Sequence, residues 1–197
     1  GLEGTYAADP RPSWPIHTMI PNSDYTYSTG WNFQNVQRGR INNYGYIAPF
    51  DYVPGTSGIV VIGDSYIESA MNEYKDTLHG SLNEFLTKPE TVLSFGMAGA
   101  DLPHYLGTAT LVRERFPPRW AVFLITAGDY TGGHTASPGY FKWAPDRDPP
   151  IRLIPEVQRP ELSKWGRTLG LVRYLRGNLS VRPSKIIQLR RANEFLE

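Results

Sequence analysis

Three short apolar runs punctuate the middle of the chain: Ile59-Val60-Val61-Ile62, Val92-Leu93-Ser94-Phe95, and Trp120 through Thr126. Each is too short for a helix and apolar on nearly every position, the pattern of a strand buried on both faces. Between the runs the period changes. Ile67, Ala70, Met71, Tyr74, Leu78, Leu82, Phe85 and Leu86 recur at helical spacing, predicting a helix over about 67–87 that Pro89 ends. Leu102, Tyr105, Leu106, Ala109, Val112 and Phe116 predict a second helix, opened by Asp101 as cap and stopped by Pro117-Pro118. The order strand, helix, strand, helix, strand with short loops predicts an α/β fold. Its parallel sheet would carry right-handed crossovers and lie between helices as a three-layer α/β/α sandwich.

The flanks are less regular. Residues 1–57 are rich in Tyr, Asn, Gly and Pro, with turn signals at Pro21-Asn22-Ser23-Asp24, Asn42-Asn43 and Pro54-Gly55. They predict an irregular extension packed on the domain, with one short hairpin formed by Thr26–Phe33 and Arg40–Ile47. The domain itself would span 58–197. Within it, 127–160 reads as a Gly/Pro-rich loop region. A third helix over about 160–179 would bury Leu162, Trp165, Leu169, Val172 and Leu175, followed by an amphipathic stretch at 184–196. A doubly wound sheet usually has more than three parallel strands. Three clear ones are what a domain incomplete at its C-terminus would show.

Composition narrows the classes. Hydrophobic residues make up 40% and aromatics 13%, enough to build a core rather than a disordered chain. No run approaches the roughly 18 apolar residues of a membrane span, so none is expected. No signal segment is legible at the start, which leaves a periplasmic, extracellular or cytoplasmic location open. The chain has no cysteine, which excludes disulfides, thiolate catalysis and cysteine-bound metal. The net charge of +1 is unevenly spread: residues 159–191 hold nine Lys/Arg against one acid, Glu161. Such a tail suits a solvated helix face, a surface that packs on further protein, anionic lipid or an acidic partner. Aromatics are not interleaved with its charges, so no nucleic acid is expected.

Chemistry concentrates where strands end. In a parallel sheet all strands finish at one edge, which carries the ligand crevice. Gly63–Tyr66, Gly96–Gly99 and Ala127–Gly133 each follow a strand directly. Ser65 would present its hydroxyl there as a nucleophile. Its backbone N–H and that of Gly99 would face an oxyanion. Taken alone, Gly-Asp-Ser is also an ordinary capped turn; the succession of strands and glycine loops favours function.

These residues resemble the SGNH/GDSL hydrolases, esterases, lipases, deacetylases and O-acyltransferases built on a flavodoxin-like three-layer fold. Ile62-Gly63-Asp64-Ser65 is similar to the family's first block, which implies Ser65 as nucleophile. Ser94-Phe95-Gly96-Met97-Ala98-Gly99 resembles the second, implying Gly99 as oxyanion donor. Trp120 through Asp129 stands where the third belongs, and Pro21-Asn22-Ser23 with Asn43-Tyr44-Gly45-Tyr46 resembles the lead-in of some bacterial members. The resemblance covers about residues 20–133, and it implies a small-molecule or carbohydrate ester as substrate and no cofactor.

Two departures qualify it. The third block of the family carries a glycine followed by a donating asparagine; here Ala127-Gly128-Asp129-Tyr130 offers Asp129, whose carboxylate accepts rather than donates, or Gly128 with no side chain. The family's C-terminal D-x-x-H is also missing after Gly133. Of the four histidines, His134 follows the third strand and is the candidate base, with Asp129 to orient it. Asp101-Leu102-Pro103-His104 spells D-x-x-H but reads as a helix start, His79 as structural and His17 as exposed. Either the chain stops short of the motif, or catalysis has been lost or moved. The expected function is therefore acyl-ester hydrolysis through a Ser65 acyl-enzyme. The alternatives are a catalytically impaired SGNH-like binding module and an O-acyltransferase, acting on cell-envelope carbohydrate. Phosphate binding is disfavoured by the acid in the first loop, and no metal-ligand cluster is evident.

Overall fold

The computed structural model describes residues 6–7, 15–29, 34–55, 58–86, 92–131 and 139–154. The chain divides into two compact units, residues 1–29 with 33–156 and residues 30–32 with 157–197. All described residues belong to the first. The helix expected over 160–179, the stretch 184–196, the basic tail and His134 lie outside the described residues.

The centre of this unit is a three-stranded parallel sheet of β5 (Ile59–Gly63), β6 (Val92–Gly96) and β7 (Trp120–Phe123), in the order β6-β5-β7. The sequence expectation of parallel strands separated by helices holds at this level. β5 pairs in register with both neighbours, Val60 opposite Leu93 and Ala121. Val60, Val61, Ile62 and the whole of β6 are buried.

β7 departs from expectation. Its apolar run predicted burial on both faces, yet all four residues are exposed, with Trp120 at 64%. Like β6, it has a strand on one side only among the described residues, but β6 is covered by the helices Ser65–Glu68 and Leu78–Phe85, whereas β7 packs chiefly on β5. An open apolar cleft of about 230 Å³ lies beside it, lined by Val60, Ile62, Ala109, Val112, Pro118 and Ala121. It contains none of the candidate site residues.

The single helix expected over 67–87 is broken. α1 (Ser65–Glu68) ends at Ser69, which adopts the left-handed conformation at φ 49°, a 3₁₀ turn covers Tyr74–Asp76, and α2 (Leu78–Phe85) begins afresh. Thr77 supplies the new start, its hydroxyl oxygen accepting the Gly80 N–H at 3.0 Å. The break rotates the pieces independently. Met71, Leu78 and Phe85, expected inside, are exposed, while His79, Gly80 and Asn83 are buried. α3 (Leu102–Arg115) forms where expected, but His104, Tyr105, Thr108 and Val112 make its buried face and Leu106 points out.

The N-terminal segment contributes to the same core. β1 (Tyr6–Ala7) pairs with β2 (Thr18–Met19), and β3 (Ser23–Thr29) with β4 (Gln34–Ile41), both antiparallel. A hairpin forms, but not the one expected: its second strand is Gln34–Ile41 rather than Arg40–Ile47. Asn42 stops it: its side-chain oxygen accepts the N–H groups of Tyr44 (2.9 Å) and Tyr46 (3.0 Å), and Gly45 turns at φ 84°. Tyr44, Tyr46 and Tyr52 then pack with Phe95 and Phe116.

Two side chains reach the outer rim of β6. The Tyr52 hydroxyl donates to the Ser94 carbonyl at 2.9 Å and accepts the Ser94 N–H at 3.0 Å. The Asn83 amide donates to the Val92 carbonyl and accepts the Val92 N–H, both at 3.0 Å. Beyond β7 the expected loop region carries a short helix, α4 (Ala127–Thr131), and a hairpin of β8 (Phe141–Trp143) with β9 (Ile151–Leu153) that packs on α3.

Candidate active site

The geometry at the C-terminal end of β5 follows from two glycines. Gly63 and Gly96 are register partners, and the Met97 N–H continues the ladder to the Gly63 carbonyl at 3.1 Å. A Cβ on Gly96 would fall within 2.5 Å of the Ile67 carbonyl carbon, and one on Gly63 within 2.5 Å of Ile67 Cγ1. Their absence lets α1 lie directly across the strand ends. Asp64 caps it, its carboxylate accepting the Tyr66 N–H at 2.9 Å. Ser65 is the first helical residue and is partly exposed. Its backbone N–H belongs to the set that a helix start leaves without an intrahelical partner.

The second loop turns at Gly99, with φ 79°, closed by the Ala100 N–H donating to the Met97 carbonyl at 3.0 Å. Gly99 is exposed. Ala98 is held from two directions. Its N–H donates to Oε2 of Glu68 at 2.8 Å, and its carbonyl accepts the Tyr140 hydroxyl at 2.8 Å. Glu68 is a buried carboxylate on α1, one turn after Ser65. Tyr140 is also buried, and burial, then the charges of Glu68 and Asp101, push its hydroxyl pKa up.

The third loop brings Asp129 inward. Its Oδ2 accepts the Thr126 N–H at 2.6 Å, and only 6% of the residue is exposed. Tyr105 lies close by. Burial raises its hydroxyl pKa, as do the charges of Asp64 and Asp129, a hydrogen bond to Asp129, and the charge of Asp101. The charges of Asp64, Asp101 and Asp129, from the segments after β5, β6 and β7, thus all act on this one phenol. Burial also raises the Asp101 carboxyl pKa, with the His104 N–H opposing and the charge of Asp129 adding to it. Asp129 is used as an acceptor here, so it supplies no donor to an oxyanion from this position.

The histidines separate clearly. His79 sits on α2 with both ring nitrogens buried and without hydrogen-bond partners among the described residues, and burial lowers its pKa to about 4. His104 is buried against Tyr140 and Phe141. Its Nδ1 accepts the Phe141 N–H at 3.3 Å, and burial, with the nearby His17 adding to the effect, lowers its pKa to about 3. With Nδ1 accepting a backbone N–H and the residue buried, His104 is placed as a core side chain rather than as a base open to substrate. His17 is not exposed as expected. It is half-buried, its ring stacks on Tyr140 at 5.6 Å, and its N–H donates to the Gly139 carbonyl at 2.9 Å. His134 lies outside the described residues.

Three participants were missed from the sequence, Glu68, Tyr105 and His17, and the contact of Tyr140 with Ala98 was not legible there either. The helical period places Glu68 one turn after Ser65, a legible signal. Tyr140 and His17 come from distant segments and leave no local trace. Among the described residues no group of three or more His, Asp or Glu could hold a metal, and no helix is long and apolar enough to cross a membrane. Comparisons with protein-family models, with characterised proteins and with solved structures return no match.

Proposed function

We propose that this chain is a serine acyl-ester hydrolase of the SGNH/GDSL type, with Ser65 as nucleophile and the N–H groups of Ser65 and Gly99 as oxyanion donors. The observation that carries the reading is the Gly63–Gly96 register. Ser65 and Gly99 follow these paired glycines by two and three residues, so both leave the sheet at the same edge. A second support is strand order. Numbered along the chain, the sheet runs 2-1-3, the beginning of the flavodoxin-like order on which such sandwiches are built.

In this mechanism Ser65 Oγ attacks the ester carbonyl, the oxyanion forms against the two amides, and expulsion of the alcohol leaves an acyl-enzyme. Water then attacks the acyl group and releases the acid; a sugar hydroxyl in place of water would make the same site an O-acyltransferase. The proton of Ser65 needs a base. His134, after the third strand, is one candidate. His17, stacked beside the Tyr140 that holds Ala98, is the other. Glu68 and Asp129 are engaged with backbone N–H groups.

A fluorophosphonate probe and p-nitrophenyl acetate test the proposal. Labelling at Ser65 and turnover that both vanish in Ser65→Ala are expected; wild-type protein that neither labels nor turns over would end the enzyme reading. The use of Asp129 as an acceptor favours a second reading, a carbohydrate-binding module on the same fold. Calorimetric binding of a cell-envelope polysaccharide that survives Ser65→Ala, without turnover, would select it.

A further inference from the structure

Ala98 sits next to the proposed oxyanion donor, and both sides of its backbone are occupied by side chains from elsewhere. Glu68 Oε2 takes its N–H and the Tyr140 hydroxyl takes its carbonyl, each at 2.8 Å. We infer that Glu68 and Tyr140 form a two-sided clamp that fixes the direction of the Gly99 N–H, and so act as positioning residues for the oxyanion hole. The Ala98 carbonyl and the Gly99 N–H belong to one planar peptide unit. Holding the oxygen on Tyr140 therefore aims the N–H the opposite way. Glu68 stops that unit from rocking, because it anchors the preceding amide.

The need for a clamp follows from the turn. Gly99 has a left-handed φ of 79°, and a Cβ built there would meet nothing within 4 Å. Packing against this residue does not restrain it. A Met97–Ala100 turn bond alone leaves the central peptide unit able to flip. The anchors themselves are rigid. Glu68 lies on α1, which the Gly63–Gly96 pair seats against the sheet, and the ring of Tyr140 lies against His17 and His104. One clamp arm thus comes from the helix that bears Ser65, which ties nucleophile and oxyanion donor into one unit.

The catalytic consequence rests on the Ser65–Gly99 reading; the positional claim does not. Two measurements separate them. In amide hydrogen exchange by NMR, Tyr140→Phe and Glu68→Ala should speed exchange at Ala98, whose N–H is bonded to Glu68, about tenfold or more, with exchange in β5 unchanged. Glu68→Gln, which keeps an acceptor, should restore most of the protection. In p-nitrophenyl acetate hydrolysis the same two variants should lower kcat about 10- to 100-fold with KM little changed, the signature of a misplaced donor. Unchanged exchange at Ala98 in both variants overturns the clamp. Faster exchange with normal kcat overturns its role in positioning. Wild-type protein that turns over no ester defeats the hydrolase reading instead, and exchange alone then decides the clamp.

Discussion

Replacing Gly96 by alanine tests the strand-end geometry in the most direct way. The added Cβ would lie 2.5 Å from the Ile67 carbonyl carbon, 2.9 Å from Glu68 Cα and closer still to the Glu68 nitrogen, against an ordinary contact of 3.4–4 Å. All three are main-chain atoms, so no rotamer change relieves the overlap. α1 must move off the sheet by on the order of 1 Å, and overpacking of this kind costs about 1–3 kcal/mol. With about 2–4 °C of melting temperature per kcal/mol for a chain of this size, a fall of about 2–12 °C is expected by thermal melting. Moving α1 also moves Ser65 and Glu68, so labelling at Ser65 should slow as well. Gly128→Ala is the control: its Cβ would meet only Thr126 Oγ1, at 3.7 Å, and its melting temperature should match the wild type. A Gly96→Ala protein that melts with the wild type would mean that α1 does not rest on the end of β6, and the reasoning about the site would fail with it.

Tyr52→Phe should destabilise by about 1–3 kcal/mol in urea titration, because it strands a buried N–H and carbonyl of Ser94. Asn83→Asp should cost a similar amount or more, since the carboxylate can still accept the Val92 N–H but faces the Val92 carbonyl with no donor. His79 is held neutral with a pKa of about 4, below its ordinary 6.5. The unfolded chain therefore takes up the proton first. Stability is full above about pH 6.5 and falls as the pH drops toward 4, by on the order of 3 kcal/mol. His79→Phe, which keeps a ring against Tyr74, should flatten that part of the pH–stability curve; an unaltered acid limb would show that His79 is not its source. Ser65→Ala should melt like the wild type, as its side chain is partly exposed, so that any loss of labelling reflects chemistry rather than unfolding.

What the sequence reveals here is what local physics dictates. β5 and β6 are legible because consecutive apolar residues between turn signals fit little else, and Ser65 and Gly99 follow from the ends of those strands. The broken helix was not legible from apolar spacing, since two short helices can satisfy the same 3–4 recurrence. Its signal was polar: Thr77 three residues before Gly80 is a helix start in the middle of the supposed helix. The exposure of β7 escaped for another reason. An apolar run records how a strand's neighbours would have to look, not whether helices cover its faces as they cover those of β6. Tyr140, His17 and Tyr52 act across long separations, 42 residues for both Tyr140 with Ala98 and Tyr52 with Ser94, and no window of sequence holds both partners.

The two side chains on the rim of β6 give the sheet a direction of growth. Asn83 imitates a peptide unit at Val92 and the Tyr52 hydroxyl does the same at Ser94, so the outward-facing groups of the strand are already spoken for. An incoming strand on that side would have to evict a buried amide and a buried phenol before forming its first hydrogen bond. Edge-to-edge pairing through β6, whether by aggregation or by exchange of strands between molecules, is thereby blocked without a proline or a lysine. Any strand that joins this sheet, from whatever source, is directed to the flank of β7, where Val122 and Phe123 stand exposed.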